Sequence, residues 1–334
     1  MSKFSYQVLQ ECVYPYTASE DPDVILGASF GEDVSLTRVG DHILASHVDP
    51  IISAVGNIGW LATHISCNDI ATAGIPPRWL LALVLVPGKE DTGLLKEIMA
   101  DIQRACRDLN VSLIGGHTEY SPGITRPLVA ITALGTSQDH EPISTGGVRP
   151  GDRILVTKGI ALEGTSILAH DFGDQARDFG LGEKDLQAGR NLMEEVSVVQ
   201  DALTLADHGA SAMHDVTDGG ILENLLEMAH ASGVRIEVDR ARLPIPDIVE
   251  RFASAFDFDP LAMISSGTLT AAVPAREVKS ALAALHAQGI HAVEIGQAVE
   301  GKGVVILDGE ERVHHTELQA EKDELARLWD VHKE

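Results

Sequence analysis

The stretch from Trp79 to Ile114 constrains the fold most, because it has the pattern of a strand, a helix and a second strand in succession. Residues 79–86 are continuously apolar, which predicts a strand buried on both faces of a sheet. Residues 91–109 carry apolar side chains at helical spacing, and residues 111–114 form the next apolar run. Elsewhere the sequence predicts a hairpin across Val39-Gly40-Asp41, helices over residues 56–74 and 189–207, and a polar surface excursion at residues 171–184. Because strand and helix patterns alternate, the sequence predicts a layered α/β (α+β) fold.

The second of these strands leads into the motif Gly115-Gly116-His117-Thr118-Glu119. Two glycines after a strand predict a turn in which the backbone can approach a ligand closely. The next three residues offer a nitrogen, a hydroxyl and a carboxylate at the mouth of the sheet. On its own, a glycine pair of this kind is more often an ordinary turn, so the motif gains meaning only from the side chains it meets.

The domain organisation follows from the length and from two loop signals. A chain of 334 residues predicts two domains, since one core rarely extends that far. Gly146-Gly147 and Pro150-Gly151 mark loops between two sets of strand and helix patterns. We therefore expect an N-terminal domain over residues 1–147, a C-terminal domain over residues 148–315 and a charged helical tail over residues 316–334.

The charge and the cysteines restrict the partners. The formal net charge of −25 would repel the phosphates of a nucleic acid or an anionic membrane surface. The three cysteines are far apart and show no zinc spacing, and the N-terminal sequence has no signal-peptide pattern. We expect a cytoplasmic protein that binds neither nucleic acid nor membranes and acts on a small molecule.

Four carboxylates lie where a predicted strand or helix meets a loop, and they are Asp33, Asp49, Asp69 and Glu119. Carboxylates brought close together repel one another unless a proton or a shared cation intervenes. Mg²⁺ prefers oxygen ligands and commonly shares them with substrate phosphates. The pattern therefore indicates a Mg²⁺ site, with four unrelated solvated acids as the alternative in a chain of 50 acidic residues.

A second polar motif, His-Asp-Val-Thr-Asp-Gly-Gly at residues 214–220, directly precedes a predicted helix. Asp218 or Thr217 could cap this helix, and the N–H groups at the helix start could instead receive a phosphate. Capping alone is the simpler interpretation. The candidates for proton transfer or substrate contact are His117, His214 and Asp215.

Several of these motifs occur together in one order along the chain: Gly31-Glu32-Asp33, Asp49, Asn68-Asp69 before Ala73-Gly74-Ile75-Pro76-Pro77, Gly115 to Glu119, Arg149-Pro150-Gly151-Asp152, and residues 214–220. The ordered set resembles the AIR synthase superfamily, the PurM-like proteins. That family includes AIR synthase, formylglycinamide ribonucleotide amidotransferase, thiamine-monophosphate kinase, selenophosphate synthetase and the hydrogenase-maturation dehydratase HypE.

The resemblance implies a PurM-like two-domain fold and a homodimer whose N-terminal, ATP-binding domains join their sheets into a barrel. It implies ATP in the dimer cleft, with Mg²⁺ held by the four carboxylates named above. The residues that it places around the nucleotide are Gly31, Asn68, Gly115, Gly116, His117 and Thr118.

The resemblance also implies the kind of reaction, in which ATP phosphorylates or activates a small carbonyl, amide or phosphate substrate. The overall pattern is most similar to HypE, but HypE ends in a cysteine, and the last cysteine here is Cys106. We therefore expect a HypE-like, AIR synthase-related enzyme of phosphotransferase, ligase or dehydratase type. The alternative is a non-catalytic ATP-binding protein of maturation or regulation.

Overall fold

The computed structural model describes residues 4–17, 19–52, 56–138, 141–318 and 323–332, which form a mixed α/β fold of two domains with one sheet each. The strands of the first sheet are β1 (Val24–Leu26), β2 (Ser35–Val39), β3 (His42–Ile51), β4 (Pro77–Val86), β5 (Ser112–Tyr120) and β6 (Leu128–Ser137). Their order is β1-β2-β3-β6-β4-β5, and β4 and β5 are its parallel pair.

The second sheet lies in the C-terminal part of the chain. Its strands are β7 (Asp152–Thr157), β8 (Ala212–Asp215), β9 (Arg235–Asp239), β10 (Leu269–Pro274), β11 (Ala292–Val299), β12 (Gly303–Asp308) and β13 (Glu311–His315). Their order is β13-β12-β9-β11-β7-β10-β8, with β9 and β12 parallel and the other described pairs antiparallel.

The helices surround and join the two sheets. They are α1 (Tyr6–Cys12), α2 (Tyr14–Thr17), α3 (Ile58–Thr72), α4 (Thr92–Asp108), α5 (Leu162–Asp171), α6 (Gly173–Asp178), α7 (Glu183–Asn191), α8 (Val199–Asp207), α9 (Gly220–Ser232), α10 (Asp247–Phe256), α11 (Val278–Ala287) and α12 (Glu324–Val331). Within the described ranges, the helices are all too short or too polar to cross a membrane.

Helix α3 joins the two domains, and every one of its residues is buried. It packs on β3 and β6 of the first sheet, on α4, and on α8 of the C-terminal domain. A helix enclosed on all sides needs partners for its polar groups as well as apolar contacts. The indole N–H of Trp60 donates to the carbonyl of Met193 over 3.1 Å, which is one such link between the domains.

The predicted hairpin and two predicted helices are confirmed, since β2 pairs with β3 antiparallel and α3 and α4 lie where helical spacing placed them. The prediction that residues 79–86 are buried on both faces is wrong. Burial alternates along β4, and Leu81 is 38% exposed, because only one face of the strand is fully covered.

The predicted turn at Gly115-Gly116 is also wrong, because β5 continues through the motif to Tyr120. The glycines serve a close approach between strands. Gly116 has φ +148°, and a Cβ atom there would lie 2.0 Å from the carbonyl oxygen of Ala82 on β4. Any larger residue would force the two paired strands apart.

Three further differences concern the C-terminal half. The predicted surface excursion at residues 171–184 contains α6, and the predicted helix at 189–207 is divided into α7, a 3₁₀ turn and α8. Helix α10 and strand β13 correspond to no predicted element. The predicted tail helix is present as α12.

Candidate functional site

A cavity of about 400 Å³ is lined by residues of both domains and of α12. The carboxylates in its wall are Glu32, Asp33, Asp49, Asp69, Glu163, Asp218 and Asp323. Among the described residues that line it, none is Lys or Arg. So many carboxylates in one enclosed space favour cationic ligands, or an anion that arrives with its own cations.

Three of the four predicted metal ligands lie in this cavity. Asp33 comes from the loop before β2, Asp49 from the end of β3, and Asp69 from the last turn of α3. These elements are adjacent in the fold, so the side chains at their ends point into one space. The sequence pattern that singled out acids at element ends therefore corresponds to a real spatial grouping.

His47 on β3 connects two of these acidic positions. Its Nε2 lies 3.2 Å from Oδ2 of Asp69, and its Nδ1 is hydrogen-bonded to the backbone carbonyl of Asp33. Asp69 sits near the C-terminal end of α3, where the helix dipole is unfavourable for a negative charge. An imidazole at this distance offsets that penalty and fixes the orientation of the carboxylate.

His214 holds Asp33 from the side of the C-terminal domain. Its Nδ1 lies 2.7 Å from Oδ2 of Asp33, and its Nε2 lies 2.8 Å from Oε2 of Glu227 on α9. Burial lowers the pKa of this imidazole, but the two facing carboxylates outweigh burial and raise the pKa well above its usual value. His214 is therefore a buried imidazolium between two carboxylates.

Asp215 adds a further carboxylate beside Asp33. Ligand atoms of Asp33, His214 and Asp215 lie within 4.8 Å of one another, a spacing that suits a metal ion. Both nitrogens of His214 face carboxylates, and in the protonated imidazole both carry a hydrogen. Neither nitrogen therefore has a lone pair with which to coordinate a metal. The oxygen atoms of the two aspartates remain as the donors, and oxygen donors are what Mg²⁺ prefers.

The fourth predicted metal ligand, Glu119, is not part of this cavity within one chain. It lies on β5, the edge strand of the first sheet, which is exposed along its whole length. His117 is its neighbour, with Nε2 3.3 Å from Oε2 of Glu119. The other residues predicted to contact nucleotide from this motif share the exposed strand: Gly115, Gly116 and Thr118.

Two other predicted nucleotide contacts have clear positions. Gly31 has φ +74° in the turn just before Asp33, beside Glu227. Asn68 is fully buried, and both ends of its amide are engaged: Nδ2 donates to the carbonyl of Val196, and Oδ1 accepts from the N–H of Val198, each over 2.8 Å. Asn68 therefore links the two domains and does not line the cavity.

Four acidic residues of the cavity were not predicted as site residues: Glu32, which precedes Asp33, and three residues from the C-terminal half. Glu163 lies at the start of α5, Asp218 in the turn before α9, and Asp323 directly before α12. Burial, Asp218 and Asp323 together raise the pKa of Glu163 to about 7. Burial and Asp218 raise the pKa of Asp323 to about 6. Glu163 has no spacing signal in the sequence, and Asp323 lies in the predicted tail, so only three-dimensional packing reveals this group.

Family models match most of the chain. Residues 31–137 match the N-terminal domain of AIR synthase related proteins, and residues 149–309 match the C-terminal domain of the same family. A curated relative, carbamoyl dehydratase HypE of Rhodobacter capsulatus, is 30% identical over 256 residues, which cover 75% of this chain and 73% of the relative.

Solved structures show the same fold. The chain superimposes on hydrogenase maturation protein HypE in complex with ATP with a TM-score of 0.69 at 21% identity, covering 94% of this chain and 95% of that one. It superimposes on AaThiL complexed with AMPPCP and TMP with a TM-score of 0.71 at 18% identity, covering 86% and 90%.

Proposed function

The chain belongs to the family of AIR synthase related proteins, and from that premise we propose that it is an ATP- and Mg²⁺-dependent enzyme. It would use ATP to phosphorylate or activate a small carbonyl, amide or phosphate substrate. The observation that carries the proposal is the meeting of Asp33, Asp49 and Asp69 in one interdomain cavity. The bound ATP and AMPPCP of the two structural neighbours support the choice of nucleotide.

The acidic cavity requires cations to admit a triphosphate. Asp33, Asp49, Asp69 and Asp215 would hold Mg²⁺ through carboxylate oxygens, and Mg²⁺ would neutralise the phosphate charge and polarise the transferred group. The chain's own contribution is positioning. His47 and His214 fix the orientation of Asp69 and Asp33.

A homodimer would complete the site. Strand β5 ends the first sheet and exposes the apolar side chains of Leu113, Ile114 and Tyr120. An exposed apolar edge strand is a template for pairing with another chain. We propose that two β5 edges meet in the dimer, which would bring His117 and Glu119 of one subunit towards the cavity of the other.

The test is ATP turnover with and without Mg²⁺ in wild-type protein, Asp69→Asn and Glu119→Gln, with Asp178→Asn as a control on an exposed carboxylate of α6. We expect Mg²⁺-dependent ADP release that falls about a hundredfold in Asp69→Asn and is unchanged in Asp178→Asn. Loss of turnover in Glu119→Gln would support the dimeric site. Nucleotide binding without ADP release, even with candidate substrates, would favour the non-catalytic alternative, and no binding at all would remove both.

A further inference from the structure

We propose that the second substrate of this enzyme is an organic cation, an amine, amidine or guanidine, whose charged nitrogen binds the acidic group formed by Glu163, Asp218 and Asp323. This inference rests on the proposed function, because it assigns the remaining part of the same cavity once Mg²⁺ and ATP occupy the end near Asp33 and Asp69. We call these three residues the Glu163 cluster.

The Glu163 cluster is built from three separate elements that converge in the cavity. Glu163 accepts a hydrogen bond from the N–H of Ser266 over 3.3 Å, and Asp323 accepts from the N–H groups of Gly219 and Ala326 over 3.0 and 3.1 Å. Burial and, after it, repulsion from neighbouring carboxylates raise the pKa values of Glu163 and Asp323, and the backbone N–H groups offset this only in part. A bound cation would remove that repulsion.

Two buried polar groups in the same wall point to a ligand independently of the charges. The hydroxyl of Ser266 is fully buried and lines the cavity; it lies close enough to Glu163 to lower the pKa of that carboxyl. Yet it forms no hydrogen bond of normal geometry within the described ranges. The indole nitrogen of Trp329 is likewise buried in the cavity wall without a hydrogen-bond partner in the described part of the chain. Buried polar groups normally have partners. The hydroxyl oxygen of Ser266 can accept a hydrogen bond from a cationic N–H group, whereas the indole N–H of Trp329 only donates and needs an acceptor atom on the uncharged part of the ligand.

The apolar part of the wall favours an organic molecule over a bare ion. Ile65, Ile264, Leu325 and Trp329 line the cavity together with the cluster. Mg²⁺ gives up its water reluctantly and gains nothing from such neighbours, whereas the carbon body of an organic cation does. An amidinium or guanidinium also presents several N–H donors in one plane, which matches a group of carboxylate acceptors.

The same arrangement rejects anions. A carboxylate or phosphate placed beside Glu163 would face repulsion in a poorly solvated space, and the described lining residues include no Lys or Arg to offset it. The Glu163 cluster should therefore bind a cation more tightly than a neutral or anionic molecule of the same shape, and this difference in affinity can be measured.

The experiment compares three probes of nearly equal shape: benzamidine, a cation; benzamide, which is neutral; and benzoate, an anion. Binding is measured by calorimetry, with and without Mg²⁺ and a non-hydrolysable ATP analogue. The proteins are the wild type, Glu163→Gln, Asp218→Asn and, as a matched control on an exposed carboxylate, Glu310→Gln. Thermal unfolding of each variant verifies folding, and the two cluster variants on different elements guard against one failing to fold.

We expect wild-type protein to bind benzamidine at least about tenfold more tightly than benzamide, and benzoate least. Glu163→Gln and Asp218→Asn should each reduce this preference about tenfold, and Glu310→Gln should retain it.

Equal binding of benzamidine and benzamide, or a preference that survives both cluster variants, overturns the inference. Displacement of benzamidine by Mg²⁺ alone also overturns it, in favour of a metal ion. Mg²⁺–nucleotide binding without cation preference would remove this inference and leave the proposed function standing. Cation preference without nucleotide binding would remove the proposed function, and with it the assignment as second substrate, and would leave a cation-binding site at the Glu163 cluster.

Discussion

Nδ1 of His214 lies 2.7 Å from Oδ2 of Asp33, although 181 residues separate them along the chain. The contact ties the loop before β2 to β8 and so fixes the N-terminal domain against the C-terminal domain beside the cavity. Because Glu227 engages the other nitrogen, the imidazolium is held from both sides.

Removing this imidazolium should destabilise the protein strongly. His214→Ala leaves the half-buried carboxylate of Asp33 and the buried carboxylate of Glu227 without the cation that they share. We expect the free energy of unfolding to fall by about 3–5 kcal/mol in urea titrations. The control His314→Ala, on the exposed strand β13, should stay within about 0.5 kcal/mol of wild type. A stable His214→Ala protein would show that the contact does not hold the domains together.

Glu163 should make stability depend on pH. Its pKa is raised from 4.5 to about 7 in the folded protein, so the folded state binds more protons than the unfolded state between those values. The free energy of unfolding therefore falls as pH rises through this window and levels off above it. Relative to wild type, Glu163→Gln should gain up to about 3 kcal/mol between pH 4.5 and pH 8. Glu310→Gln should show no such gain. If the difference in the free energy of unfolding between Glu163→Gln and wild type also stays constant with pH, burial does not raise the pKa of Glu163 in this way.

Gly116 should not tolerate a side chain. A Cβ atom would lie 2.0 Å from the carbonyl of Ala82, and φ +148° is unfavourable for any other residue. We expect Gly116→Ala to cost about 2 kcal/mol or more and to loosen the pairing of β4 with β5. Gly93→Ala, in the first turn of α4 with open space around its Cβ position, is the matched control and should be neutral or slightly stabilising. Thermal unfolding of the two variants distinguishes these outcomes.

Asn68 should act on stability through the domain interface. Asn68→Ala leaves the carbonyl of Val196 and the N–H of Val198 buried without their present partner. We expect a loss of about 2–3 kcal/mol in the free energy of unfolding. Asn191→Ala, which removes an exposed bond to Gln187 at the end of α7, should cost less than about 0.5 kcal/mol. An equal effect of the two substitutions would mean that Asn68 does not join the domains.

The local sequence pattern was sufficient for much of the fold and for part of the site. Hydrophobic periodicity depends on which face of an element is buried, and that signal lies within a short window of the chain. It therefore located α3, α4 and the β2–β3 hairpin. The rule that functional carboxylates follow element ends placed Asp33, Asp49 and Asp69, which the structure brings to one cavity.

Other features were decided only by contacts between distant segments. The run from Gly115 to Glu119 has the composition of a turn, and pairing with β4 makes it an exposed strand, so Glu119 lies apart from the other three acids. The imidazolium clamp on Asp33, the interdomain role of Asn68 and the Glu163 cluster all join residues more than a hundred positions apart. Burial and charge at these sites depend on neighbours that no local window contains, which is why tertiary structure alone determined them.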